Sequence, residues 1–345
     1  MTGLPATIAD HVATFWPQSQ PQQPAEAPVP GSIAIVTAFF DINRGDWSQL
    51  TSDVSSKYRR SVDDYFANFD HLARVRNDLI VFTSPDLAER VLAHRRAHGL
   101  EHRTTIFAVD RLFDIATVRA ALAAADAQMT EKFKDFVWRP SAPEYNKADY
   151  VVVNALKSTF ALTAIEKGAV RAAQLAWIDF GYAARDGIVE TDHEWTCDFG
   201  DKINLFAIFR LDQRHIYDIV RRSEVYIQGC HIVGPVTSWQ RFNELMSEAF
   251  RALIACGLID DDQTMLLMAY RAEPDSFILR RRRIDPDLDW RFIFKRFRAG
   301  SLPPDEELPD VPDKGQPDWF RDLKTVLRRR LRASVRSLMS ARQKA

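Results

Sequence analysis

Along this chain, short unbroken apolar runs alternate with stretches whose apolar residues recur every three or four positions. IAIVTAFF (33–40) is continuous and partly β-branched, the pattern of a strand buried on both faces. Similar runs predict strands at 79–83, 104–109, within QLAWIDFGY (174–182), and at 202–209, 226–234 and 276–281. Between them the period changes. Tyr58, Val62, Tyr65, Phe66, Phe69, Leu72 and Ala73 fall on one helical face, which predicts a helix over 57–76. The same spacing predicts helices over 86–97, 114–136, 144–167, 238–255 and 262–271. Strands alternating with helices predict an α/β domain with a mostly parallel sheet flanked by helices.

The ends of the chain follow other patterns. Residues 1–31 read as a short helix followed by a Pro/Gln-rich linker. The α/β domain is expected over 32–299, and 300–318 reads as an acidic, Pro-rich linker. In 319–345, Trp319, Leu323, Val326, Leu327, Leu331, Val335 and Leu338 share one helical face, and nine Lys/Arg stand against one acid, Asp322. That is a basic amphipathic helix, and the expected partner is an anionic membrane surface.

Composition narrows the function classes. Net charge is −1 over 345 residues, which argues against nucleic acid as a partner. Three cysteines without CxxC spacing argue against a disulfide framework or a structural zinc site. No apolar run approaches membrane-spanning length, and the N-terminus lacks signal-peptide character. The expected location is cytoplasmic, peripheral at the inner face of the membrane.

Candidate chemistry clusters where predicted strands end, because ligands of open α/β sheets bind beyond the carboxyl ends of strands. After the first strand, Thr37, Asp41 and Arg44 are candidates to meet a nucleotide. The P-loop and GxGxxG patterns are absent. In WIDFGY, Asp179 directly follows a buried strand and is the best candidate for Mg²⁺ or Mn²⁺, cations that prefer carboxylate oxygens. A DxD pair is incomplete, since Gly181 stands at the second position. In EYNKADYVVVNALKSTF (144–160), Lys147, Asn154 and Lys157 lie on a polar stripe of a largely apolar helix. A buried lysine is costly unless it meets an anion. In GLIDDDQTML, Asp260 and Gln263 fit a capping box, while Asp261 or Asp262 is a candidate to act on an acceptor hydroxyl. His231, between glycines, is a candidate metal ligand, set against the commoner reading of a packed histidine.

IVTAFFDINRGDW, NDLIVFTS, EYNKADYVVVNALKSTF, QLAWIDFGY and GLIDDDQTML, in this order, resemble the HtrL/YibB family across about 33–285. The resemblance implies a GT-A-like, Rossmann-type glycosyltransferase fold. It also implies transfer of sugar from a nucleotide-sugar donor to a bacterial surface glycan, such as lipopolysaccharide or capsule, or to its lipid-linked precursor. On that reading Arg44 and Arg59 meet the diphosphate, and Lys147, Asn154, Lys157 and Tyr182 line the donor pocket. Asp179 holds a metal or contacts the sugar. The incomplete DxD also leaves room for a non-catalytic glycan- or nucleotide-binding protein.

Overall fold

A computed structural model describes residues 28–47, 53–300 and 302–312. The expected N-terminal helix and the basic tail helix at 319–345 lie outside these residues. Seven strands form one sheet: β1 (Ile33–Phe39), β2 (Leu79–Thr83), β3 (Thr104–Ala108), β4 (Gln174–Ile178), β5 (Ile203–Ala207), β6 (His231–Pro235) and β7 (Phe277–Arg281). Their order is β3-β2-β1-β4-β6-β5-β7. The pairs β1–β2, β1–β4, β2–β3 and β5–β7 are parallel. β6 runs antiparallel to β4 and β5. This is the mostly parallel α/β sheet flanked by helices expected from the sequence. The reversal of β6 has a simple cause: the connection after β5 returns to the end of the sheet where β5 stopped, so the next strand runs back.

The side-chain period of two sorts β1 between two cores. Ile33, Ile35 and Phe39 pack on one face, against α1 (Val62–Leu72) and α2 (Pro85–Ala97). Ala34, Val36 and Phe40 pack on the other face. That face is covered by α3 (Ala116–Gln128), α4 (Glu131–Phe136), α5 (Ala148–Ala155) and α6 (Lys157–Glu166), then α7 (Ile216–Arg222), α8 (Trp239–Ala255) and α9 (Asp262–Ala272). Helix α1 begins at a capping box: Asp64 N–H donates to Ser61 Oγ at 3.1 Å and Ser61 N–H donates to the Asp64 carboxylate at 2.8 Å. It buries Phe66, Phe69 and Leu72, three residues apart, against the sheet. Arg95 on α2 is fully buried and donates to the carbonyls of Ala73, Val75 and Asn77 at 2.9, 2.6 and 3.1 Å. It thereby fixes the turn that feeds β2.

Two expected helices are subdivided. The 114–136 helix is broken between α3 and α4, where Thr130 caps the second piece by accepting from Phe133 N–H at 3.1 Å. The 144–167 helix breaks at Leu156 into α5 and α6. Helix α7 carried too short a period to be read from sequence. Residues 302–312, expected as part of a linker, run beside β7. Glu306 N–H donates to Arg281 O at 3.1 Å, and Arg210 N–H donates to Pro309 O at 2.9 Å. No helix among the described residues is long and apolar enough to cross a membrane.

Candidate active site

The strand order reverses between β1 and β4: successive β strands step one way from β1, and the chain then returns to β1's other side. Such a switch point leaves a crevice beyond the strands' carboxyl ends. A cleft of about 800 Å³ occupies it, lined by 38–44 after β1 and 177–184 after β4. Helix α1, the α5–α6 junction and Trp290–Arg291 supply the remaining walls.

Asp179 follows β4 on this lining, with its side chain 37% exposed. Its Oδ1 accepts from Trp177 Nε1 at 2.8 Å and from Lys157 Nζ at 2.9 Å. Among the described residues its Oδ2 carries no such bond. Trp177 and Asp179 are two apart on one strand end and share a face, so the indole is placed to hold the carboxylate. Two further carboxylates of the lining serve local turns. Asp41 accepts from Asn43 N–H at 2.8 Å, and Asp64 closes the capping box of α1.

Lys157 is the first residue of α6, a helix whose residues 157–164 are all buried. Its ammonium donates to Asp262 Oδ2 at 2.8 Å and to Gly229 O at 3.0 Å, besides Asp179. Burial works against this charge and the two carboxylates overcome it, so its pKa lies well above the ordinary lysine value. Burial pushes the Asp262 carboxyl up and Lys157 draws it back, leaving a raised carboxyl beside a firmly protonated lysine.

The sequence candidates separate in space. Asp41, Arg44, Arg59, Asn154, Lys157, Asp179 and Tyr182 all line the cleft. Arg44 is tied down: it donates to Tyr58 O at 2.9 Å and to the Tyr65 hydroxyl, and lies 4.9 Å over the Trp47 ring. Tyr182 is buried at the floor, accepting from Ile293 N–H at 3.2 Å. Thr37 is buried mid-strand in β1, level with Val81, away from the lining. Lys147 precedes α5 and its ammonium sits 5.5 Å over Trp47. Lys147 is the extended N-cap of α5, outside the helix, and the break at Leu156 puts Asn154 on α5 and Lys157 on α6, so the three no longer share one stripe.

The acids of 260–262 do three different things. Asp260 accepts from Thr264 Oγ1 at 2.8 Å and from Tyr145, and burial pushes its carboxyl up to about 8. Asp261, not Asp260, is the N-cap of α9, accepting from Gln263 N–H at 3.1 Å. Asp262 turns inward to Lys157. His231 is sealed among Phe206, Tyr182 and Phe292, with ring centroids at 4.6, 5.7 and 5.1 Å. Its Nδ1 meets Cys230 Sγ at 3.0 Å, and burial holds its pKa down at about 3.

A divalent cation fits this arrangement poorly. Among the described residues, no group of three or more His, Cys, Asp or Glu converges. The two carboxylates nearest the cleft floor, Asp179 and Asp262, already share one ammonium.

Sequence reasoning missed Arg60, Tyr65, Trp177, Trp290 and Arg291 in the lining. Only Trp177 left a usable signal, standing two residues before the singled-out acid.

Residues 31–299 match the family described as "Bacterial protein of unknown function (HtrL_YibB)". Protein HtrL of Escherichia coli (strain K12) is 34% identical over 278 residues, covering 79% of this chain and 94% of that protein. The solved apo structure of mouse xyloside xylosyltransferase 1 is 9% identical, with a TM-score of 0.36. That alignment covers 81% of this chain and 96% of the other.

Proposed function

The chain belongs to the HtrL/YibB family, and from that premise we propose that it is a glycosyltransferase using a nucleotide-sugar donor. The observation that carries the reading is a half-exposed carboxylate, Asp179, on the wall of a large cleft at the switch point of a mostly parallel sheet. A cleft of about 800 Å³ suits a ligand the size of a sugar nucleotide. Arg59, Arg60 and Arg291 on the lining supply positive charge for a diphosphate, and Arg44 adds its field from within its aromatic cage. Tyr65, Tyr150 and Trp290 offer flat surfaces for a base or a sugar.

In the transfer, the bond between the sugar's anomeric carbon and the diphosphate oxygen breaks, and its electron pair leaves with the nucleoside diphosphate. The acceptor hydroxyl oxygen bonds to that carbon and gives up its proton. Asp179 receives it, because its Oδ2 is free while Oδ1 is anchored by Trp177 and Lys157. A positioned base of this kind contributes about 10²–10⁴-fold. The acceptor is a bacterial surface glycan or its lipid-linked precursor, and the basic segment 319–345 holds the enzyme at the inner membrane leaflet beside it.

The test is release of nucleoside diphosphate from a panel of UDP-, GDP- and CMP-sugars, the last releasing CMP, with membrane glycolipid as acceptor. Asp179→Asn should abolish turnover of the active donor while retaining its binding. Wild-type turnover by the purified variant would remove Asp179 from the chemistry. Saturable donor binding without turnover by any acceptor would favour a non-catalytic binding protein.

A further inference from the structure

Oxygens from Asp179, Asp262 and Gly229 converge on one point, and Lys157 Nζ occupies it at 2.9, 2.8 and 3.0 Å. Carboxylates plus a backbone carbonyl are the ligand types a hard divalent cation takes. We propose that the Lys157 ammonium stands in the place of that cation, so that donor binding and transfer in this cleft need no divalent metal. The proposal rests on the glycosyltransferase reading of the cleft.

Three features build this arrangement in. An ammonium has three N–H donors, and three acceptors meet them, so the charge is held in one position. Residues 157–164 of α6 are buried throughout, which fixes the backbone from which Lys157 reaches this point. Gly229 is shaped to the site: a Cβ there would stand 2.0 Å from Asp262 Oδ2, so a glycine is what lets that carboxylate reach the lysine.

The neighbouring position argues the same way. Gly181, two residues after Asp179, is where a second acid would complete a metal-binding pair. A Cβ at Gly181 would come 3.2 and 3.3 Å from the Tyr65 ring, so Tyr65 packs where that side chain would begin. The charge balance also shifts. One ammonium against two carboxylates leaves a unit of negative charge, where a divalent cation would leave none. Neutralising a diphosphate therefore falls to the arginines of the lining, and donor binding should weaken steeply with salt.

The test is a Mn²⁺ titration of the full chain without nucleotide, read by electron paramagnetic resonance. Wild type should leave Mn²⁺ free. Lys157→Ala should open the Asp179–Asp262 pair and bind one equivalent at least tenfold more tightly, about 1.4 kcal/mol. Adding Asp179→Asn to that variant should abolish the gain. Stoichiometric binding by wild type that Asp179→Asn removes would overturn the proposal, as would a folded Lys157→Ala that gains no Mn²⁺. Should Lys157→Ala not fold, the wild-type titration still decides, together with donor affinity in EDTA and in Mn²⁺. Equal affinities support the proposal, and a tenfold loss in EDTA overturns it. Absence of donor binding under both conditions counts against the glycosyltransferase reading, which the nucleotide-free titration does not depend on.

Discussion

Replacing Lys157 with methionine keeps most of the bulk of a side chain that is 5% exposed and removes its charge. Two carboxylates are then left facing one another, one of them, Asp262, only 4% exposed. Removing one partner of a buried ion pair costs about 3–5 kcal/mol, because the other charge stays buried and unpaired. Asp179 reaches solvent at 37% and is screened, so the lower end, about 3 kcal/mol, is expected. The loss should depend on pH. In wild type, Lys157 has a raised pKa, so its contribution is complete below about 10.4 and flat across neutral pH. In the variant, Asp262 loses the lysine that draws its carboxyl down, and its folded pKa rises further above the unfolded value. Stability lost through a raised carboxyl grows as pH climbs from the unfolded pKa towards the folded one, levels off above it, and vanishes below the unfolded value. Urea unfolding followed by tryptophan fluorescence, at about pH 8 and about pH 5, measures both limbs, with a slope up to about 1.4 kcal/mol per pH unit. A variant as stable as wild type at pH 8, or a deficit unchanged at pH 5, would refute the electrostatic reasoning.

Gly229→Ala should drive Asp262 away from Lys157 and cost about 1–3 kcal/mol, with loss of transfer; an unchanged melting temperature would show that the close approach does not matter. His231→Phe should make the protein more resistant to acid. A histidine held down at about 3 destabilises the fold as pH falls below about 6.5, by up to about 1.4 kcal/mol per unit, and the variant lacks that term. Parallel wild-type and variant unfolding curves from pH 7 to 4 would contradict this. Deleting 319–345 should release the protein from anionic liposomes at low salt, and continued co-sedimentation would assign membrane binding to another surface.

Much of the sheet was legible because β1, β2, β4 and β5 are buried along almost their whole length and read as largely apolar runs. The reversal of β6 was not, since HIVGP carries the same signal in either direction. The break at Leu156 was hidden as well: AlaLeuLys has no helix-breaking residue, and only packing decides where α5 ends and α6 begins. That break separates Lys147 from Lys157, which the uninterrupted stripe had joined. Asp179 could be found because strand-end acids open into switch-point crevices. Asp262 looked like a helix-opening acid, and its true partner lies 105 residues away in the chain. Contacts of that separation leave no periodicity to read. His231 shows the converse: a histidine between glycines suggested a ligand, and the fold seals it among aromatic rings.

The account stands most directly on calorimetric titration of the full chain with UDP-, GDP- and CMP-sugars, in EDTA and again in Mn²⁺. Saturable one-site binding of a single nucleotide class, weakened by Arg59→Ala and Arg291→Ala, is the result expected of this cleft. A folded protein that takes up none of these donors under either condition would contradict it.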